Sequence, residues 1–158
     1  MFLNIYNLTT IYYDKKKRLS IMVFQNGERL TSRRKPTVLL NHFCRQHGST
    51  LQGRIASAQT VLDIKQKSPV MVCLVMNCCF FPTQSLKNEN CVWIQSGLVT
   101  SLVSINSTQT KVIFTKNNWI EVDVGIRSIK KQLDRCTVYY EKVTMPIDKR
   151  TFNEIIGI

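Results

Sequence analysis

The chain has 158 residues, and 22 Lys and Arg outnumber 10 Asp and Glu, so its formal net charge is +12. Hydrophobic residues make up 44% of the chain, which supplies the core of one domain and argues against intrinsic disorder. The longest apolar run, Val70–Met76, is far shorter than the roughly 20 residues that a membrane helix needs. Met1–Thr10 lacks the basic start and the apolar run of a secretory signal. We therefore expect a single cytoplasmic domain over residues 1–158.

The chain is predicted to begin with strands. Asn4–Tyr13 is rich in Ile, Tyr and Thr, and Leu19–Phe24 is an apolar run. Asn26-Gly27 follows it and is a strong hairpin signal, because both turn positions would need positive φ. Glu28–Arg34 would return as the second strand. Lys35-Pro36 would end that strand, since proline has no N–H to donate to the ladder.

The clearest predicted helix comes next. Val38–Phe43, ahead of it, fits either a strand or the start of a helix. Ser49, with Gln52 three residues later, has the capping-box pattern. Gly53 in the first turn costs about 1 kcal/mol relative to alanine, and it marks either a close backbone approach or a loop-to-helix transition. Apolar residues recur at spacings of three and four and share one helix face: Leu51, Ile55, Ala58 and Leu62.

The second half is predicted to consist mostly of antiparallel strands after the break at Ser68-Pro69. The predicted strands are Val70–Val75, Cys79–Phe81, Val92–Ile94, Leu98–Ile105, Lys111–Thr115 and Trp119–Val124, the last four as a meander. A second helix, from about Ile126 to Cys136, has one apolar and one basic side. The whole pattern predicts an α+β fold, a single domain of mostly antiparallel β-sheet with two or three short helices.

The positive charge is concentrated in one third of the chain. Residues 15–67 contain twelve Lys and Arg against two acids, Glu28 and Asp63, so this segment is +10 and the other residues are only +2. A field of one sign on one stretch indicates a polyanionic partner, most often nucleic acid. The competing interpretation is a basic protein whose lysines are merely solvated.

A series of short motifs stands in order through the middle of the chain. The motifs are Cys44-Arg45, Gly48-Ser49-Thr50-x-x-Gly53-Arg54, Lys67-Ser68-Pro69-Val70-Met71-Val72, Phe80-Phe81-Pro82-Thr83 and Cys91-x-Trp93-Ile94. Each motif alone is a weak signal, but the series in this order resembles the competence transcription factor family, ComK, of Gram-positive bacteria. The resemblance extends upstream through the Asn26-Gly27 hairpin and, more weakly, downstream through Val112–Val124 and the basic helix.

The resemblance implies a DNA-binding activator of the genes for DNA uptake, associated with the nucleoid. ComK-like proteins recognise paired AT-rich boxes largely through the minor groove, work as dimers that assemble into tetramers, and are handed to a regulated protease by an adaptor. RNA polymerase would be a further partner. Family members are expected to extend beyond the length of this chain, so its C-terminal part would be shortened. On this interpretation the protein binds double-stranded DNA and is not an enzyme, and it uses no cofactor and no metal.

Basic side chains around the capped helix are the candidates for DNA contact. The narrow minor groove of an A-tract is strongly negative and attracts Arg and Lys. The amides of Ser49–Leu51 would point outward at a helix N-terminus, where a phosphate binds readily. The candidate DNA-binding residues are Arg45, Arg54, Lys65 and Lys67 as a central patch, Arg33, Arg34 and Lys35 as flanking phosphate contacts, and Lys130, Lys131 and Arg135 as a second surface. No helix-turn-helix pattern accompanies them.

Other site chemistries receive less support. Zinc could use His42 with Cys44, but their spacing is too short for a ligand pair, and adjacent Cys78 and Cys79 on a strand would face opposite ways, so buried thiols are favoured. A Cys/His hydrolase would need an oriented third group, and no such motif is present. His47 would be a surface or DNA-phosphate residue.

Three other basic-protein functions stay open as alternatives: a non-specific nucleic-acid binder without activator function, an RNA-binding protein and a membrane-surface protein. RNA modules display aromatic side chains for stacking. Here the aromatics occupy apolar strand positions, which favours a place in the core: Phe80, Phe81, Trp93, Phe114 and Trp119. Tyr139-Tyr140 fits the core or a subunit contact.

Overall fold

The computed structural model describes residues 3–158; Met1 and Phe2, which belong to the segment tested for a secretory signal, lie outside the described residues. The strands are β1 (Leu8–Asp14), β2 (Leu19–Phe24), β3 (Arg29–Ser32), β4 (Val70–Cys73), β5 (Cys78–Pro82), β6 (Val92–Gln95), β7 (Ser101–Asn106), β8 (Gln109–Thr115) and β9 (Asn118–Val122). The α-helices are α1 (Pro36–Gln46), α2 (Leu51–Leu62), α3 (Ile126–Thr144) and α4 (Lys149–Ile156). Short 3-10 helices cover Ile5–Asn7 and Ser96–Leu98. The predicted α+β class is confirmed.

Six strands form the central sheet in the order β3-β2-β1-β6-β5-β4. Every neighbouring pair is antiparallel, and Ile11 of β1 lies opposite Trp93 of β6. The prediction that Val92–Ile94 opens a meander is wrong, because this segment is inserted between β1 and β5. The burial of both Trp93 and Ile94 agrees with a central strand, because a half-exposed meander strand buries only one face.

Both faces of the six-stranded sheet are covered. On one face, Trp93 and Phe80 pack with residues of α1, including Leu40 and Cys44. On the other face, Phe81 and other strand residues pack with α3 and with the second sheet. Helix α2 contributes to both clusters, because its first turns contact the first and its last turns the second. Two hydrophobic layers around one sheet explain how this small chain buries a substantial core.

The second sheet has three strands in the order β7-β8-β9. Its inner face carries the buried Val112, Phe114 and Val122, which join the cluster that contains α3. The β7–β8 turn lies against the start of α3, where a Cβ on Gly125 would come within 2.6 Å of the Ser107 carbonyl oxygen. Glycine is therefore required at position 125 by a close backbone approach rather than by its φ.

Two local predictions need correction. The N-cap of α2 is Thr50, whose Oγ1 accepts a hydrogen bond from the Gly53 amide at 3.0 Å, so the Ser49/Gln52 capping box is wrong by one residue. In the β2–β3 hairpin only Gly27 has positive φ, at +88°. The Gly27 amide donates to the Phe24 carbonyl at 2.8 Å, so the loop is a three-residue turn that ends in a left-handed glycine.

The helices differ from the prediction in number and length. Val38–Phe43, for which strand and helix were both open, lies inside α1, and Pro36 occupies its first turn. Helix α3 continues to Thr144, well past the predicted end at Cys136, and α4 was not predicted. Tyr139 of α3 is buried, and its hydroxyl lies 2.7 Å from Ser57 Oγ. Across residues 3–158, no helix combines the length and apolar character needed to cross a membrane.

Candidate nucleic-acid interface

The antiparallel order of the six-stranded sheet brings most of the basic segments to one end. At this end β1, β3 and β5 finish and β2, β4 and β6 begin. The connections that cross it contain residues 15–18, 33–35, 65–67 and Lys87, which we call the basic end. Its ten cations are Lys15, Lys16, Lys17, Arg18, Arg33, Arg34, Lys35, Lys65, Lys67 and Lys87. Segments that are distant in the chain thus form one positively charged surface.

Some of this charge is paired. Glu89 accepts Lys35 Nζ at 3.4 Å and lies 4.0 Å from Lys15 Nζ, and Lys35 Nζ also stands 4.7 Å above the Tyr13 ring. All three charged side chains are about half exposed, so the ion pairs contribute little to stability. Arg34 Nη1 lies 2.8 Å from His42 Nε2. Such weak exposed contacts orient the cations without neutralising the surface.

A groove of about 250 Å³ extends the basic end onto α3. Lys67, Lys131 and Arg135 line it together with the polar side chains of Ser128 and Thr83. The predicted second surface is therefore continuous with part of the predicted central patch. Lys130 is exposed on the same helix but outside the groove lining.

Hydrogen bonds from the buried Gln132 side chain connect α3 to the segments that line the groove. Gln132 is almost fully buried, and its Nε2 donates to the Lys67 carbonyl at 3.0 Å and to the Pro82 carbonyl at 2.8 Å. Arg135 Nη1 donates to the Gln66 carbonyl at 3.2 Å and to Gln132 Oε1 at 3.2 Å. Arg135 thus fixes the 66–67 backbone against α3, and its guanidinium keeps only part of its donors free. Lys67 itself has a left-handed backbone, with φ of 52°.

Arg45 and Arg54 lie elsewhere. Arg45 is exposed near the C-terminal end of α1, about 15 Å along the helix axis from Lys35. Arg54 is half-buried at the start of α2, and its positive charge partly opposes the rise in the pKa of Cys44 that burial causes. The predicted central patch is therefore divided, with Lys65 and Lys67 at the basic end and these two arginines at the junction of α1 and α2.

The predicted phosphate site at the start of α2 is wrong for two of its three amide donors. The Leu51 amide donates to Asn41 Oδ1 at 3.0 Å, and the Ser49 amide donates to the Cys44 carbonyl at 3.0 Å. Both groups are satisfied inside the chain, so they cannot also bind a phosphate. Their role is to fix the angle between α1 and α2.

Sequence reasoning missed two parts of the basic end. The turn Lys15–Arg18 lay inside the counted basic segment, yet its four cations were not proposed as contacts. Lys87 stands alone in the sequence of the β5–β6 connection. A run of four cations in a predicted turn was a usable signal for the first part. No sequence pattern indicated Lys87 as a contact residue, because only the strand order brings it near the other cations.

The six cysteines are free thiols, and all of them except the partly exposed Cys73 are buried. Cys78 packs on one face of the sheet and Cys79 on the other, as the strand alternation predicted. Burial raises the pKa of Cys44 to about 11 and that of Cys78 to about 12, so both stay protonated thiols at neutral pH. Cys79 Sγ lies 3.3 Å from Cys136 Sγ. Within residues 3–158, no three His, Cys, Asp or Glu side chains are grouped to hold a metal ion.

His47 is less exposed than predicted. It is half-buried, with Nδ1 2.8 Å from the Phe43 carbonyl oxygen and Nε2 3.3 Å from the Tyr6 hydroxyl. Both ring nitrogens therefore have partners inside the chain, and His47 secures the end of α1.

One aromatic residue departs from the predicted core placement. Phe80, Phe81, Trp93 and Phe114 are at most 1% exposed, as expected for core residues. Trp119 on β9 is 48% exposed, and Lys111 Nζ stands 4.4 Å above its ring. Its strand alternates correctly, but the pattern did not reveal that Trp119 lies on the outer face of the second sheet.

The comparisons with known proteins agree with the motif series. The family model described as ComK protein matches residues 6–148. This chain belongs to the ComK family. The competence transcription factor of Bacillus subtilis (strain 168) is 29% identical to it over 116 residues, which are 73% of this ComK-family chain and 60% of that relative. The chain thus spans less than two thirds of the length of the curated relative it matches. No solved structure matches it significantly.

Proposed function

We propose that this protein is a DNA-binding transcriptional activator of DNA-uptake genes. The observation that carries the proposal is the gathering of ten cations at one end of the six-stranded sheet, continuous with the Lys131 groove of α3. Such a surface releases counterions from DNA and binds its phosphates. Membership of the ComK family supplies the regulatory part of the proposal. The protein acts by binding and not by catalysis, and it works in the cytoplasm at the nucleoid.

The proposed target is a pair of AT-rich boxes, read largely through the minor groove. That groove is narrow in A-tracts, and its negative potential attracts Lys and Arg. Its base edges distinguish A·T from G·C pairs but carry little further sequence information. Groove shape and the spacing of the boxes would therefore supply the specificity. Two boxes favour two copies of the protein, which would form dimers and then tetramers on DNA.

Two further partners complete the proposal. An activator acts on RNA polymerase, and an adaptor of a regulated protease would control the amount of protein. Both assignments rest on the family alone. The basic end and the groove on α3 support only the proposed DNA interface.

A fluorescence anisotropy titration tests the proposal. A duplex with two AT-rich boxes is compared with a GC-rich duplex of equal length at near-physiological salt. We expect much tighter binding to the AT-rich duplex, with stepwise higher-order complexes. Equal binding to both duplexes would reduce the protein to a non-specific basic nucleic-acid binder, the alternative function.

The salt dependence tests the electrostatic part separately. The logarithm of the binding constant should fall linearly with the logarithm of the salt concentration, with a slope of about −0.9 for each phosphate contact. A flat response would show that the basic end does not contact phosphates. A shallow slope together with retained AT preference would place specificity elsewhere on the surface.

A further inference from the structure

The outer face of the β7–β9 sheet carries exposed apolar side chains beside the paired Lys111 and Glu121. Val103 is 49% exposed and Ile105 43%, and Trp119 stands on the same sheet at 48%. The strand register places Ile113 of β8 directly opposite Trp119 of β9 and opposite Ser101 of β7. Val103 and Ile105 lie on β7, at the edge of this sheet, and Trp119 lies two strands away on β9.

The edge of this sheet is also open. β7 pairs with β8 on one side, and no other strand of residues 3–158 pairs with its outer side. Its backbone N–H and C=O groups on that side form a template for another strand. Folded proteins usually protect such an edge with lysine, proline or an inward charge. Residues 90–110 contain no charged residue and no proline, so β7 lacks these protections, although its pairing with β8 is irregular between Ser104 and Asn106.

The charge distribution favours a second copy of this chain as the partner that binds the β7 edge. The whole chain is +12, but residues 101–122 contain only Lys111, Lys116 and Glu121 as charged residues, which is +1. Lys111 lies opposite Glu121 in the strand register and above the Trp119 ring, so much of this charge is locally balanced. Two copies of a strongly cationic chain repel each other across most of their surfaces. The β7–β9 sheet offers a nearly neutral, apolar surface with hydrogen-bonding groups free at its edge.

We infer that two copies of this protein associate through β7, strand against antiparallel strand about a two-fold axis, into one six-stranded intermolecular sheet. An antiparallel pair of identical strands is self-complementary, as a two-fold interface requires. The exposed Val103 and Ile105 then pack across the axis, and the backbone groups of both edges are satisfied. None of the segments of the basic end belongs to β7–β9. The inference rests on the proposed self-association of the activator and names the surface that forms it.

The test is sedimentation equilibrium of the full chain without DNA, for three proteins. Val103→Lys adds a charge at the proposed axis, and Val75→Lys is the matched control, because Val75 is 91% exposed on the β4–β5 turn of the other sheet. The unmodified protein should dimerise reversibly, and Val75→Lys should do so equally. Val103→Lys should raise the dimer dissociation constant by about tenfold or more, since the two added lysines face each other. Equal dimerisation of the two variants, or a monomeric unmodified protein, would overturn the inference.

Hydrogen exchange of the unmodified protein gives a second readout that needs no variant. The amides of residues 101–106 should exchange more slowly at high than at low protein concentration, while those of β3, one of the two edge strands of the other sheet, should not change. Unchanged exchange in β7 would overturn the inference even if Val103→Lys failed to fold. The anisotropy titration keeps the two proposals separate. If the protein prefers AT-rich DNA but does not pair through β7, only the proposed dimer surface is refuted. If it dimerises through β7 but shows no preference for AT-rich DNA, only the proposed DNA function is refuted.

Discussion

The basic end of the six-stranded sheet and the outer face of the three-stranded sheet lie on the same small chain and have opposite surface chemistry. The first collects ten cations from connections that are far apart in sequence, and the second is nearly neutral and apolar. Charge attracts DNA over long distances, whereas apolar area and unpaired backbone favour close protein contacts. On the two proposals above, DNA and a second copy of the protein would bind to separate surfaces and would not compete.

The largest expected effect comes from reversing charge at the basic end. Lys16→Glu/Lys17→Glu places two acids in the β1–β2 turn and should weaken DNA binding by about 100-fold at near-physiological salt, with a salt slope reduced by about two. Lys116→Glu/Lys149→Glu is the matched control, because it makes the same charge change away from the basic end. Anisotropy titrations of both proteins measure the difference. Equal losses would mean that only the net charge matters, and the comparison of the two surfaces would fail.

Replacing the buried Gln132 beneath the α3 groove should lower the stability of the fold as well as the affinity for DNA. Gln132→Ala removes three hydrogen bonds, those donated to the Lys67 and Pro82 carbonyls and the one accepted from Arg135, so the free energy of unfolding should fall by about 2 kcal/mol. Lys130→Ala, on the exposed side of the same helix, should leave stability unchanged. Urea denaturation of both variants provides the measurement. An unchanged unfolding midpoint for Gln132→Ala would show that the groove does not depend on this residue.

The contact between the second sheet and α3 can be tested at one glycine. In Gly125→Ala the new Cβ would meet the Ser107 carbonyl oxygen at 2.6 Å, so the chain must shift, at a cost of about 1–2 kcal/mol. Gly97→Ala is the control, because a Cβ there has no neighbour within 4 Å. Thermal unfolding should separate the two variants by several degrees, as about 1 kcal/mol does in a domain of this size. Identical melting temperatures would contradict the close approach.

The smallest expected effect is at Arg54. Arg54→Ala should weaken binding to AT-rich DNA by roughly fivefold, the loss of about one phosphate contact, and leave the fold intact. Arg45→Ala, at the end of the neighbouring helix, allows the two predicted arginines to be ranked. Affinity and thermal stability are measured on the same samples. A loss of thermal stability equal to the loss of binding energy would make Arg54 a structural residue of the junction between α1 and α2.

The sequence by itself determined the family, the α+β class and the positions of most strands. Local patterns sufficed for these, because hydrophobic alternation, turn residues and an ordered series of motifs are written along the chain. The strand alternation also separated Cys78 from Cys79 correctly. The limits of α2 were missed by only one residue at its cap, where two neighbouring hydroxyl residues, Ser49 and Thr50, could both serve.

Only the tertiary structure decided which surfaces those elements form. Val92–Ile94 entered the six-stranded sheet because pairing with β1 and β5 buries both of its faces, a contact that no local pattern records. The same strand order brought Lys15–Arg18, Lys67 and Lys87 to one end. The exposure of Trp119 likewise depended on which face of its sheet the core occupied. Periodicity along the chain says that a strand has two faces, and long-range packing determines which face meets water.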